Sequence, residues 1–119
     1  MFMGRIEFSS FKEFWPFYLS QHLNPVCRNL HYAGTLLALV LFVIFVGAGN
    51  FGFIPLAILP GYAFAWVGHF FFERNRPATF KYPLWSFFAD FVMLFRFLTG
   101  KIGIELSSVE LKKFEETGK

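Results

Sequence analysis

Residues 30–48 carry no charged side chain and read Leu-Leu-Ala-Leu-Val-Leu-Phe-Val-Ile-Phe-Val at their centre. That is about the length a helix needs to cross a hydrocarbon core of about 30 Å. A second uncharged run covers residues 51–72, separated from the first by a short turn containing Gly47, Gly49, Asn50 and Gly52. Two such runs joined so tightly predict a transmembrane hairpin. Composition points the same way, since 20 of the 119 residues are Phe and 55 % are hydrophobic. A soluble domain of this size buries only about 60 to 70 % of the surface its unfolded chain exposes, too little to hide so many rings. Lipid covers the remainder.

The segments around the hairpin are shorter. Ser10 and Glu13 have the spacing of a capping box, and Phe11, Trp15, Tyr18 and His22 follow on one helical face, so residues 8–23 predict an interfacial helix. Asn24-Pro25 ends it, and Pro16 lies where it would kink or restart it. Residues 83–98 form a third apolar segment holding Asp90 and Arg96. A charge at the bilayer centre costs about 2.5 to 3.5 kcal/mol, which favours an interfacial or re-entrant helix over a simple span. Ser107 opens a charged tail helix over residues 107–116. The expected fold class is therefore all-α: one integral-membrane domain over residues 1–119, with an interfacial helix, a hairpin, a third apolar helix and a tail.

Charge sets the orientation. Arg5, Lys12 and Arg28 precede the hairpin, Arg74, Arg76 and Lys81 follow it, and the turn between the spans has no Lys or Arg. Both hairpin ends are therefore expected at the cytoplasmic face, of the inner membrane if the chain is bacterial. The net charge of +3 suits anionic headgroups better than nucleic acid, because the basic residues are scattered and no stacking aromatics interleave them. The single cysteine, Cys27, excludes an intrachain disulfide. Residues 1–10 have charges without an apolar stretch directly behind them, so no signal peptide is expected.

On this topology all three histidines return to one layer. His22 and His31 flank the Asn24-Pro25 break, and His69 lies near the end of the second run with Glu73 four residues on. Neutral imidazoles, with or without a carboxylate, suit Fe, Zn or Mn, and open positions would suit Fe(II) and O2. The plain alternative is that each His is a polar interfacial residue. Glu73 is either a ligand, an acceptor that sets a His tautomer, or an ion partner of Arg74 or Arg76. Asp90, with Ser86 one turn away, orients a ligand His, pairs with an Arg, or bonds across helices. Arg28, Arg74 and Arg76 suit a substrate carboxylate, or simply headgroups. Cys27 is left outside the candidate site. Gly34, Gly61 and Gly68 are packing positions for close helix approach, a surface that also leaves a homo-oligomer open.

Several of these motifs resemble one family taken together. Tyr18-Leu19-Ser20-Gln21-His22-Leu23-Asn24-Pro25, Arg28 with His31 and Gly34-Thr35, Gly68-His69-Phe70-Phe71-Phe72-Glu73 and Arg76-Pro77-Ala78 resemble the Mpo-like 2-hydroxy fatty acid dioxygenases. Tyr82-Pro83-Leu84-Trp85-Ser86, Asp90-Phe91 and Leu98-Thr99-Gly100 are similar to the short bacterial-type branch. The resemblance implies an Fe2+ enzyme that converts a 2-hydroxy fatty acid and O2 to the acid one carbon shorter plus CO2. It places the metal on His22, His31 and His69. Arg28 or Arg76 would meet the substrate carboxylate, with Glu73 and Asp90 in supporting catalytic roles. Two rival classes stand beside it: a non-enzymatic membrane metal carrier or scaffold, which as a carrier should have ionisable groups through the membrane, and a bis-histidine haem protein, which would show a Soret band.

Overall fold

The computed structural model describes residues 8–74 and 81–117, and all regular structure among them is helical. Helix α1 (Phe11–Ser20) is capped by Ser10, whose Oγ accepts the Glu13 backbone N–H at 3.3 Å. The Glu13 carboxylate reaches one residue further back than a capping box requires, to the Ser9 backbone N–H and hydroxyl, both at 3.1 Å. Pro16 lies within the helix without interrupting it, and the helix stops at Ser20, so His22 sits just beyond its end.

Helix α2 (Pro25–Gly47) begins earlier than the apolar run alone suggests. Asn24 is its N-cap, its Oδ1 accepting from the backbone N–H groups of Val26 at 2.8 Å and Cys27 at 3.2 Å, and Pro25 fills the first turn. Asn-Pro thus starts a helix and does not end one, since α1 has already stopped at Ser20, and proline needs no partner for a missing N–H at the first helical position. The far end closes through Gly49, whose φ of 75° is natural for glycine, with the Asn50 N–H bonded to the Phe45 carbonyl at 2.9 Å.

The returning segment, Phe51–Glu73, is not one uniform helix. Residues Phe51–Ile58 form a 3-10 helix containing Pro55, Leu59–Val67 form α3, and Gly68–Glu73 form a π-helical turn. Prolines at 55 and 60 remove two backbone donors, so the early ladder cannot run as a regular α-helix. Both Pro25–Gly47 and Phe51–Glu73 are long and apolar enough to cross a membrane.

Two crossings set how closely these segments approach. A Cβ on Gly34 would stand 2.8 Å from Phe64 Cβ and 3.1 Å from Gly61 Cα. At the other crossing a Cβ on Gly68 would stand 2.9 Å from Cys27 Sγ and 3.2 Å from its Cα. Only glycine lets the backbones meet there.

Helices α4 (Pro83–Leu98) and α5 (Ile102–Thr117) complete the chain, and the tail helix begins at Ile102, well before Ser107. The turn at Gly100, with φ of 77°, redirects the chain at once, so the residues before Ser107 have a packed surface to fold onto. Ile102 and Leu106 join Phe14, Tyr18, Leu19, Tyr32, Ala89, Met93 and Leu94 in the main core. That core lies between α1, α4, α5 and the first turns of α2, forming a cap over one end of the hairpin. Trp15 Nε1 donates to Glu105 Oε1 at 2.6 Å, and Arg96 Nη1 donates to Glu105 Oε2 at 2.6 Å, tying α1, α4 and α5 together.

Candidate metal centre

Each histidine arrives on a different local structure. His22 follows the end of α1, His31 lies in α2 beyond the Asn24 cap, and His69 is the second residue of the π-helical turn. Burial at the Gly68–Cys27 crossing brings the second span against the start of α2, and His69 follows directly from Gly68. All three imidazoles are buried, and one ligating nitrogen from each lies within 4.8 Å of the others. His22 Nε2 is 3.1 Å from His31 Nε2 and 3.0 Å from His69 Nε2. Ring planes meet at 87°, 77° and 88°, so the three rings stand nearly mutually perpendicular about one point.

The far sides of two rings decide what that point can hold. His22 Nδ1 donates to the Tyr18 carbonyl at 2.6 Å, and His31 Nδ1 donates to the Cys27 carbonyl at 2.9 Å. Those bonds assign the single proton of each neutral ring to Nδ1, leaving lone pairs on both Nε2 atoms. Two lone pairs 3.1 Å apart repel unless a cation lies between them. Donors about 2.1 Å from a common ion and at right angles around it stand about 3 Å apart, so the His22–His31 and His22–His69 spacings each fit a pair of ligands on one transition metal ion. Burial also holds the His22 imidazole well below its usual pKa, helped by the proximity of His31 and His69, which keeps it in the neutral form a metal needs.

The other site candidates fall in different places. Glu73 accepts a hydrogen bond from the Asn24 backbone N–H, and Asn24 Nδ2 donates to the Phe72 carbonyl at 3.4 Å. The Glu73 carboxylate therefore holds the end of the second span against the break between His22 and His31. Arg28 spans the same break, with Nη1 donating to the carbonyls of His22 at 2.9 Å and Leu23 at 2.8 Å. Arg74 is exposed, in a left-handed conformation that ends the π-helical turn. Arg76 lies outside the described residues. Cys27 Sγ is 3.7 Å from His31 Nδ1, on the side of the ring away from the shared nitrogens.

Asp90 reaches the centre through a residue that was not counted among the expected site candidates. Its Oδ1 accepts the hydroxyl of Tyr18, whose ring stacks on His22 at 4.1 Å and 27°. Burial, and after it the Asp90 charge, hold the Tyr18 phenol well above its usual pKa, so it remains the donor. Desolvation lifts Asp90 to about 7, opposed by the Tyr18 hydrogen bond. Asp90 also lines, with Thr35 and Tyr62, a cavity of about 20 Å³, room for one water. Ser86, one turn before Asp90, is fully buried, its Oγ without a hydrogen-bond partner among the described residues. The signal for Tyr18 was its place four residues before His22 on one helical face.

A family model described as 2-hydroxy-palmitic acid dioxygenase Mpo1-like matches residues 8–102. No curated protein and no solved structure matches the chain significantly. The matched segment takes in α1 to α4, all three histidines, Glu73 and Asp90. The chain belongs to the Mpo1-like family.

Proposed function

We propose that this Mpo1-like protein is an Fe(II)-dependent dioxygenase, held in a membrane by its hairpin, that shortens 2-hydroxy fatty acids by one carbon. The balance is R–CH(OH)–COOH + O2 → R–COOH + CO2 + H2O. The substrate gives up four electrons and one O2 accepts them, so no second oxidisable co-substrate is required. The observation that carries this proposal is the approach of the His22 and His31 Nε2 lone pairs to 3.1 Å.

Bound iron would supply a site for O2 and a Lewis acid for the substrate's hydroxyl and carboxylate. His22, His31 and His69 hold it, the first two fixed in tautomer by the carbonyls of Tyr18 and Cys27. The Arg28 guanidinium places a positive charge beside His22 for the substrate carboxylate, a task shared with Arg76. Glu73 and Asp90 act by holding the segments that bear the ligands. The exposed apolar flanks of the hairpin, among them Leu36, Val40 and Trp66, let the acyl chain stay in lipid while its head enters the centre. The positive-inside bias of the basic residues at the hairpin ends supports a centre on the cytoplasmic side.

Metal analysis of the purified chain, then incubation with 2-hydroxypalmitate under O2, tests the proposal. Stoichiometric iron and a product one carbon shorter by mass spectrometry are expected, with both lost in His69→Ala. Protein free of any transition metal, or undiminished turnover in His69→Ala, would overturn it.

A further inference from the structure

Three aromatic rings lie in one column along α1 and its end. Trp15 stacks on Tyr18 at 5.6 Å and 11°, and Tyr18 stacks on His22 at 4.1 Å and 27°. Each of the first two rings is tethered by a carboxylate from another helix: Trp15 by Glu105 on α5 and Tyr18 by Asp90 on α4. The last ring carries a ligating nitrogen. Tyr18 also touches that ring a second way, because its own carbonyl accepts the His22 Nδ1–H at 2.6 Å. One residue thereby sets both the tilt of the imidazole plane and the direction of its Nδ1–H. His22 has no helix of its own to orient it, since α1 ends at Ser20.

We infer that Tyr18 and Asp90 are positioning residues for the metal centre: Asp90 holds the Tyr18 phenol, and Tyr18 in turn holds His22 as a ligand. The inference rests on the three-histidine metal site proposed above. Asp90 and His22 come from segments 68 residues apart, so the link exists only because α4 packs across α1. An aromatic ring with no role beyond filling the core would need no buried carboxylate at its hydroxyl. A carboxylate taken out of water is costly, and it is retained where it has a bonding partner to fix. Groups that orient a ligand from behind change metal affinity typically by about 10- to 100-fold when removed.

Co(II) binding to the full chain in detergent provides the test, because Co(II) absorption in the visible reports ligand geometry without turnover. Tyr18→Phe keeps the stacked ring and the carbonyl and removes only the phenol oxygen. It is expected to weaken Co(II) binding about tenfold or more and to shift the absorption bands, at unchanged helical content. Asp90→Ala should match it, and the Tyr18→Phe/Asp90→Ala double variant should be no weaker than Tyr18→Phe alone, because both changes cut one chain of contacts. Should Asp90→Ala fail to fold, Tyr18→Phe alone decides. Wild-type affinity and spectrum in Tyr18→Phe overturn the inference, as do losses that multiply in the double variant. If His69→Ala abolishes binding while Tyr18→Phe binds normally, only this inference fails. If the wild-type chain binds neither Fe(II) nor Co(II), the metal reading fails and this inference with it.

Discussion

The cap and the outer half of the hairpin differ in what they bury. In the cap, Phe14, Ala89 and Met93 are 0 % exposed, and Phe14 alone has ring contacts with Phe8, Phe11, Phe17, Tyr18, Tyr82 and Trp85. In the outer hairpin, Val43 is 60 % exposed, Ile44 54 % and Phe51 63 %. The cap encloses a packed aromatic core, yet its outer faces also carry exposed apolar side chains, Leu84 and Ile104 among them. The outer hairpin turns its apolar side chains outward, which is stable where the surroundings are lipid. The histidines lie at the seam between the two, buried by the cap on one side and by the Gly68–Cys27 crossing on the other.

The sharpest way to break this comparison is to remove one ring from each region. Phe14→Ala should cost about 3–5 kcal/mol of unfolding free energy in mild detergent, the usual penalty for emptying a packed aromatic site. Phe51→Ala should stay within about 0.5 kcal/mol, as surface substitutions do. Chemical denaturation followed by circular dichroism measures both, and equal losses would mean that the outer hairpin is packed after all.

A second comparison holds exposure constant and changes only the solvent. Val43 on α2 and Leu111 on α5 are both 60 % exposed. Val43→Asp should disfavour membrane insertion by about 2.5–3.5 kcal/mol, whereas Leu111→Asp should leave it unchanged. Carbonate extraction of membranes expressing each variant reads the difference. Retention of both to the same degree would place the two residues in one environment.

The third effect is a pH dependence inside the cap. Asp90 has a folded pKa of about 7 against an ordinary 3.8. Between those values the folded chain holds a proton that the unfolded chain has released. The folded state binds more protons there, so stability falls as pH rises from about 4 to about 7 and levels off above. Asp90→Asn should flatten that slope while keeping an acceptor for Tyr18. Thermal unfolding at pH 5 and pH 8 measures it, and an unchanged slope in Asp90→Asn would assign it to other groups.

Local signals in the sequence account for much of the layout. The bounds of α4, Pro83–Leu98, coincide with the third apolar segment, because proline and glycine mark its two ends. Ser10 was legible as a cap, and the glycine turn as the reversal between the runs. The small residues were legible as packing positions, though not which backbone each would meet. The early start of α2 was hidden because Asn24-Pro25 reads equally well as a stop and as a cap. The early start of α5 was hidden because Ile102 and Leu106 gain their burial only against α1 and α4.

What the sequence determined by itself is whatever depends on neighbours along the chain: two uncharged runs of spanning length, the caps and breaks that bound them, and three histidines brought to one end by a hairpin. Tertiary structure alone decided the partners. Glu73 bonds the backbone of Asn24 rather than an imidazole, Arg28 secures the carbonyls of His22 and Leu23, and Asp90 reaches His22 through Tyr18. Hydrogen bonds act over about 3 Å and depend on direction. The periodicity of a helix tells which face a residue occupies, and only the packing of one helix on another tells which donor that face will meet.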